Sequence, residues 1–193
     1  GSALYKLFKF LGYNTIGINH LGDWGTQFGK LAVAIKLWAK KEDLASMNFN
    51  TRSLQELYVR FHTEAENHPE LEDAAREWFR KMEQGDPEAL KILNFCKEIT
   101  LKDVKKVYER LHVHFDDWSG ESFYTDKMPA VLDDLRKKHL TVISEGAEMV
   151  DLSEYDMPPC LLVKSNGSTL YATRDMAAAH WRKQKYNFDK CLY

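Results

Sequence analysis

Apolar residues recur at helical spacing along much of the 193-residue chain. Leu4, Leu7, Phe8 and Leu11 share one helical face, and Gly12 stops the run. Residues 13–19 alternate instead, with Ile16 and Ile18 on one side, which predicts a strand. The turn Leu21-Gly22-Asp23-Trp24-Gly25 follows. Helical spacing returns over 26–40, with Phe28, Leu31, Ile35 and Trp38 facing inward. Helix, strand, turn and helix in this order is the grammar of an α/β sheet with crossover helices.

Residues 41–115 change character. Helical patterns start at Ser53 as N-cap, at Pro69 and at Asp86-Pro87-Glu88. The last reaches His112, long enough to predict a bend or break near Ile99-Thr100-Leu101. Strand signals then return: a short strand over 112–115, a hairpin of 141–144 with 147–152 around Glu145-Gly146, and a pair of 161–164 with 169–172 around Asn166-Gly167. Helices are predicted over 126–139 and 174–185, and Cys191-Leu192-Tyr193 reads as the start of a further strand. The division that follows is a first part of a sheet-containing core (1–40), a helical insertion (41–115) and a return to the core (116–193).

Composition narrows the function. At 44% hydrophobic and 12% aromatic residues the chain can bury a core. The 27 basic and 29 acidic residues nearly cancel, which argues against holding nucleic acid by bulk charge. A local basic face of Lys102, Lys105, Lys106 and Arg110 stays open as a phosphate contact beside the plainer reading of a solvated helix. Cys96, Cys160 and Cys191 form no CxxC pair, so buried reduced thiols in a cytosolic protein are expected. No stretch has the length of apolar residues that a membrane helix needs, and the N-terminus does not read as a signal peptide.

Three polar segments sit where strands are expected to end. Tyr171-Ala-Thr-Arg174-Asp175 places a phenol and a carboxylate four residues apart at the start of a helix. That pairing suits a cationic, hydrogen-bonding ligand. A carboxylate serving the helix dipole and a half-buried tyrosine is the plainer alternative. Gly22-Asp23-Trp24-Gly25-Thr26-Gln27-Phe28-Gly29 lets the backbone pass close to a ligand or a neighbouring element, but has neither dinucleotide nor Walker spacing; Asp23 reads equally as a helix cap. Asp116-Asp117-Trp118-Ser119-Gly120-Glu121 offers carboxylates, with Glu121 either functional or part of a solvated loop. His112 and His114 lack a third metal ligand nearby, and no metal site is expected.

The segments NHLGDWGTQFGKL at 19–31, SGESFY at 119–124 and SNGSTLYATRDMAAA at 165–179 together resemble the catalytic domain of bacterial-type arginyl-tRNA synthetases. The resemblance implies a partial Rossmann-like class I core with a mostly helical insertion. It implies an arginine–tRNA ligase using ATP with Mg2+, L-arginine and the cognate tRNA, with no tightly bound cofactor and no membrane. The parent is expected to be a cytoplasmic monomer. Tyr171 and Asp175 match positions that hold the arginine substrate, and Glu121 one near the tRNA 3′ adenosine. Asp23, Trp24 and Gln27 match a structural turn of the active site. The family's HIGH-like and KMSKS-like motifs are not in the sequence, so an internal fragment is expected, inactive alone. A non-catalytic binding or scaffold module derived from a synthetase is the alternative.

Overall fold

The computed structural model describes residues 1–40, 44 and 49–193, which form two compact units, Gly1–Trp118 and Ser119–Tyr193. The opening of the expected insertion, 41–43 and 45–48, lies outside the described residues.

The first unit contains α1 (Ser2–Phe10), α2 (Thr26–Trp38), α3 (Thr51–Ala65), α4 (Glu70–Glu83) and α5 (Pro87–Arg110). Its core is organised around α2. Ala32 packs with Trp24, Met82 and Leu93, Val33 and Ala34 with Phe61 and Ala75, and Ile35 with Leu54 and Cys96. Because α3, α4 and α5 all pack on α2, its buried residues are Gly29, Ala32, Val33, Ala34 and Ile35. Of the expected inward stripe, Phe28, Leu31 and Trp38 stay half-buried. Gly29 explains the close packing. A Cβ there would lie 2.0 Å from the Ala75 carbonyl oxygen of α4, so no larger residue fits unless the helices separate.

Local chemistry sets the helix ends. Asn50, not Ser53, caps α3. The Asn50 side chain accepts from the backbone N–H of Arg52 (2.9 Å) and Ser53 (3.3 Å), and the Ser53 hydroxyl accepts from Asn50 N–H, a reciprocal capping box. Asp86 caps α5 by accepting from Ala89 N–H at 2.9 Å, with Pro87 in the first turn. The expected break near residues 99–101 is not there, and α5 runs 24 residues unbroken. Thr100 is accommodated within the helix because its hydroxyl donates to the Cys96 carbonyl one turn back, at 2.9 Å.

The strands expected over 13–19 and 112–115 do not form. They leave one isolated parallel bridge between Ile18 and Asp117. The Asp116 carboxylate accepts from Gly17 N–H at 2.7 Å, taking a donor that a ladder would need. His112, at φ +53°, turns the chain out of extended geometry.

The second unit begins with a 3-10 segment, Glu121–Lys127, that runs into α6 (Met128–Lys137). The strands β1 (Val142–Ser144), β2 (Ala147–Val150) and β3 (Cys160–Val163) then form an antiparallel sheet in that order. The β1–β2 hairpin turns at Glu145-Gly146 as expected, both residues at positive φ. The second expected pair shrinks to one bridge, Val163 with Thr169. The chain turns at once into α7 (Tyr171–Tyr186), which starts three residues before the expected Arg174. The run of Ala and long side chains after Tyr171 favours helix over strand. Tyr124, Met128, Val131, Ala177 and Ala178 form the core. Arg136 of α6 grips the buried Glu148 of β2 through Nε (2.8 Å) and Nη2 (2.6 Å), and the pairing holds that carboxyl below its ordinary range.

After α7 ends at Asn187, in the left-handed region, residues 187–193 contain no strand, so the strand expected at Cys191-Leu192-Tyr193 does not form. The cysteines are free, but only Cys96 is buried; Cys160 is half-buried and Cys191 exposed, against the expectation of three buried thiols. Burial pushes the Cys96 thiol up to about 12. Among the described residues no helix is long and apolar enough to cross a membrane.

Candidate functional site

Tyr171 and Asp175 stand one turn apart at the beginning of α7, on adjacent surface of one helix. Their position is fixed from below. The fully buried Thr173 hydroxyl donates to the Leu162 carbonyl of β3 at 2.7 Å, and Leu170 N–H donates to the same carbonyl at 3.2 Å. Two hydrogen bonds therefore staple the first turn of α7 to the end of the sheet. Tyr171 is 70% exposed, its phenol presented to solvent, and Asp175 is half-buried. Asp175 lies beyond the first turn, so capping does not account for it.

Two turns further along the same face, Arg182 is buried. Its Nε donates to the Tyr124 hydroxyl (3.3 Å) and its Nη1 to the Tyr193 hydroxyl (3.2 Å), and its guanidinium lies over both rings. Burial raises the Tyr193 phenol above its ordinary range. The Arg182 charge opposes that rise and the Asp175 charge adds to it. Asp175 thus belongs to a charged neighbourhood that also contains Arg182 and two phenols.

Glu121 is not a solvated loop carboxylate. Arg174 Nε, in the first turn of α7, donates to Glu121 Oε2 at 3.1 Å, and the side chains are only 15% and 25% exposed. The structure brings Tyr171, Asp175 and Glu121 into one unit, connected through Arg174. Sequence reasoning passed over Arg174 and Arg182. Their signal was positional: one adjoins Asp175, and the other follows it by seven residues on one helical face.

In the first unit, the turn at residues 22–29 is built from packing. Asp23 is not a helix cap: the N-cap of α2 is Gly25, at φ +142°, a backbone region open to glycine. The Asp23 carboxylate, 9% exposed, pairs with Lys97 Nζ of α5 at 2.6 Å. Trp24 packs edge-on against Phe79 with ring centres 5.5 Å apart, and Gln27 Nε2 donates to the Trp24 carbonyl at 3.1 Å. Of the basic face on α5, Lys106 pairs with Asp103 at 3.0 Å, and Lys105 stands over the Trp118 ring at 5.6 Å. His114 lies 3.6 Å from Asp116.

A helix stapled to the last strand of a small antiparallel sheet thus presents an aromatic hydroxyl and a carboxylate in its first turns. The family model described as tRNA synthetases class I (R), catalytic domain, matches residues 1–193, and the chain belongs to that family. The arginine–tRNA ligase of Alkaliphilus metalliredigens is 58% identical over all 193 residues, and that of Clostridium perfringens 53% identical. The chain spans 34% of the length of each, about a third of these curated relatives. Among solved structures, the arginyl-tRNA synthetase of Plasmodium falciparum superposes with a TM-score of 0.79 at 27% identity, over 96% of this chain and 31% of that one. The α/β fold expected from sequence is thereby that of a class I synthetase core.

Proposed function

We propose that the protein containing this chain is an arginine–tRNA ligase working in two steps. A carboxylate oxygen of L-arginine attacks the α-phosphorus of ATP, and the bond to the bridging oxygen breaks. Arginyl-adenylate forms and pyrophosphate leaves. A ribose hydroxyl of the terminal tRNA adenosine then attacks the activated carbonyl, loses its proton, and AMP departs. Mg2+ accompanies the ATP phosphates and counts with the substrate.

In this reading Asp175 receives the guanidinium of the amino acid and Tyr171 orients it through its hydroxyl, because a carboxylate accepts two parallel N–H bonds from a guanidinium fork. Glu121 meets the tRNA 3′ adenosine. Asp23, Trp24 and Gln27 hold the turn that supports the active site. Residues 1–40 and 116–193 belong to the catalytic core, and 41–115 are its helical insertion. The full enzyme works as a cytoplasmic monomer. What carries the reading is the 58% identity with a ligase across every residue of the chain.

The test is ATP–pyrophosphate exchange and tRNA charging by the full-length enzyme and its Asp175→Asn variant. Losing one charge-assisted interaction costs roughly 1.5–3 kcal/mol, about a 10- to 150-fold rise in the KM for arginine. The KM for ATP should stay within about twofold, since the nucleotide makes no contact with Asp175 in this reading. Equal effects on both substrates would refute the guanidinium role.

A further inference from the structure

Arg174 stands between the residues assigned to the amino acid and the one assigned to the tRNA end. It follows Tyr171 by three positions, directly precedes Asp175, and reaches across 53 positions of sequence to Glu121. The two partners stand on different elements of the same unit. Arg174 belongs to the turn of α7 that Thr173 and Leu170 staple to β3. Glu121 opens a short 3-10 segment with no side-chain cap. Segments of this kind have poorer hydrogen-bond geometry than an α-helix. A glutamate has three rotatable side-chain bonds, and left alone its carboxylate samples several rotamers. The Arg174 fork is planar, so its bond to one oxygen restricts the rotamers the carboxylate can sample. A carboxylate held through Oε2 retains acceptor capacity on Oε1, as recognition of a ribose hydroxyl requires. Partial burial of both groups shields the pair from the salt screening that weakens surface pairs.

We propose that Arg174 is a positioning residue for the tRNA 3′ end, transferring the fixed orientation of α7 to the Glu121 carboxylate so that a ribose hydroxyl meets it already aimed. The proposal rests on the reading of Glu121 given above. It assigns Arg174 no contact with any substrate. The same bond holds the segment carrying Glu121 against the helix carrying Tyr171 and Asp175, so the amino acid and tRNA subsites share one spacer.

The experiment uses the full-length enzyme and its Arg174→Gln, Arg174→Lys, Glu121→Gln and Glu121→Gln/Arg174→Gln variants. Tm is measured for each, with separate KM values for tRNA, arginine and ATP. R174Q should lower kcat/KM for tRNA about tenfold while the KM for ATP stays within about twofold. R174K should recover part of the loss, because an ammonium still donates to the same oxygen. The double variant should be no worse than E121Q alone, since both changes remove one function. If E121Q is impaired while R174Q charges tRNA normally, the positioning role is wrong and the assignment of Glu121 stands. If E121Q itself charges normally, the assignment of Glu121 falls and takes the proposal with it. Losses that multiply in the double variant, or a fall in Tm that R174K shares together with equal losses for all three substrates, also overturn the proposal.

Discussion

At the scale of single residues, two positions show how differently glycine and aspartate earn their places. Gly29 is needed because backbone meets backbone: the atom blocking a methyl group is a carbonyl of α4, which cannot rotate away as a side chain would. Gly29→Ala should therefore destabilise the chain by about 1–3 kcal/mol or more, the usual range for overpacking, as read by urea denaturation. A loss within about 0.5 kcal/mol would mean that α2 and α4 part easily. Asp23 shows the opposite economy. Its carboxylate is buried and answered by Lys97 of α5, so the charge in the turn serves packing within the fold. The sequence showed a phenol and a carboxylate four residues apart, and spacing alone left them open between a cationic-ligand site and a helix-dipole carboxylate beside a half-buried tyrosine. The surroundings of that helix face were not legible, because Arg182 and Tyr124, which hydrogen-bond to each other, are 58 positions apart and meet only in three dimensions.

At the scale of elements, helices formed near where the apolar periodicity placed them, while several expected strands did not form. Helical spacing is a local property, satisfied by hydrogen bonds within the segment. A strand needs a partner at the right register, and alternation over residues 13–19 could not reveal that Asp116 would occupy the Gly17 N–H. The β1–β2 hairpin succeeded because its turn residues carry the required positive φ. This small sheet is tied to α6 by the Arg136–Glu148 fork, which makes its docking sensitive to acid. The folded carboxyl is held below its ordinary value, so the pair contributes its full stability above the unfolded carboxylate pKa. That contribution is lost as pH falls through the folded value. Urea titrations at about pH 6 and about pH 3 should show the wild-type advantage over Glu148→Gln shrinking at the lower pH. An advantage that does not change with pH would exclude the ion pair as its source.

At the scale of the whole molecule, each compact unit has its own core, and the chain matches its ligase relatives over a third of their length. Large apolar side chains such as Phe10 (87% exposed) and Ile143 (70% exposed) lie open on its surface. Adenylate formation depends on donors arranged around the phosphates, and the HIGH-like and KMSKS-like motifs expected to supply them are not in the sequence. The 193-residue polypeptide by itself should therefore give no ATP–pyrophosphate exchange above background when supplied with arginine and tRNA. Robust exchange would show that those motifs are dispensable.

The order of residues alone placed most of the helices, the cap at Asp86, the hairpin turn and the segments that mark the family, since each depends on neighbours a few positions away, whereas the α3 cap fell at Asn50 and not at the expected Ser53. Tertiary structure alone decided which carboxylates are spoken for: Asp23 by Lys97, Glu121 by Arg174 and Glu148 by Arg136. Ion pairs across tens of residues depend on distance in space, and a linear pattern of charges carries no record of it.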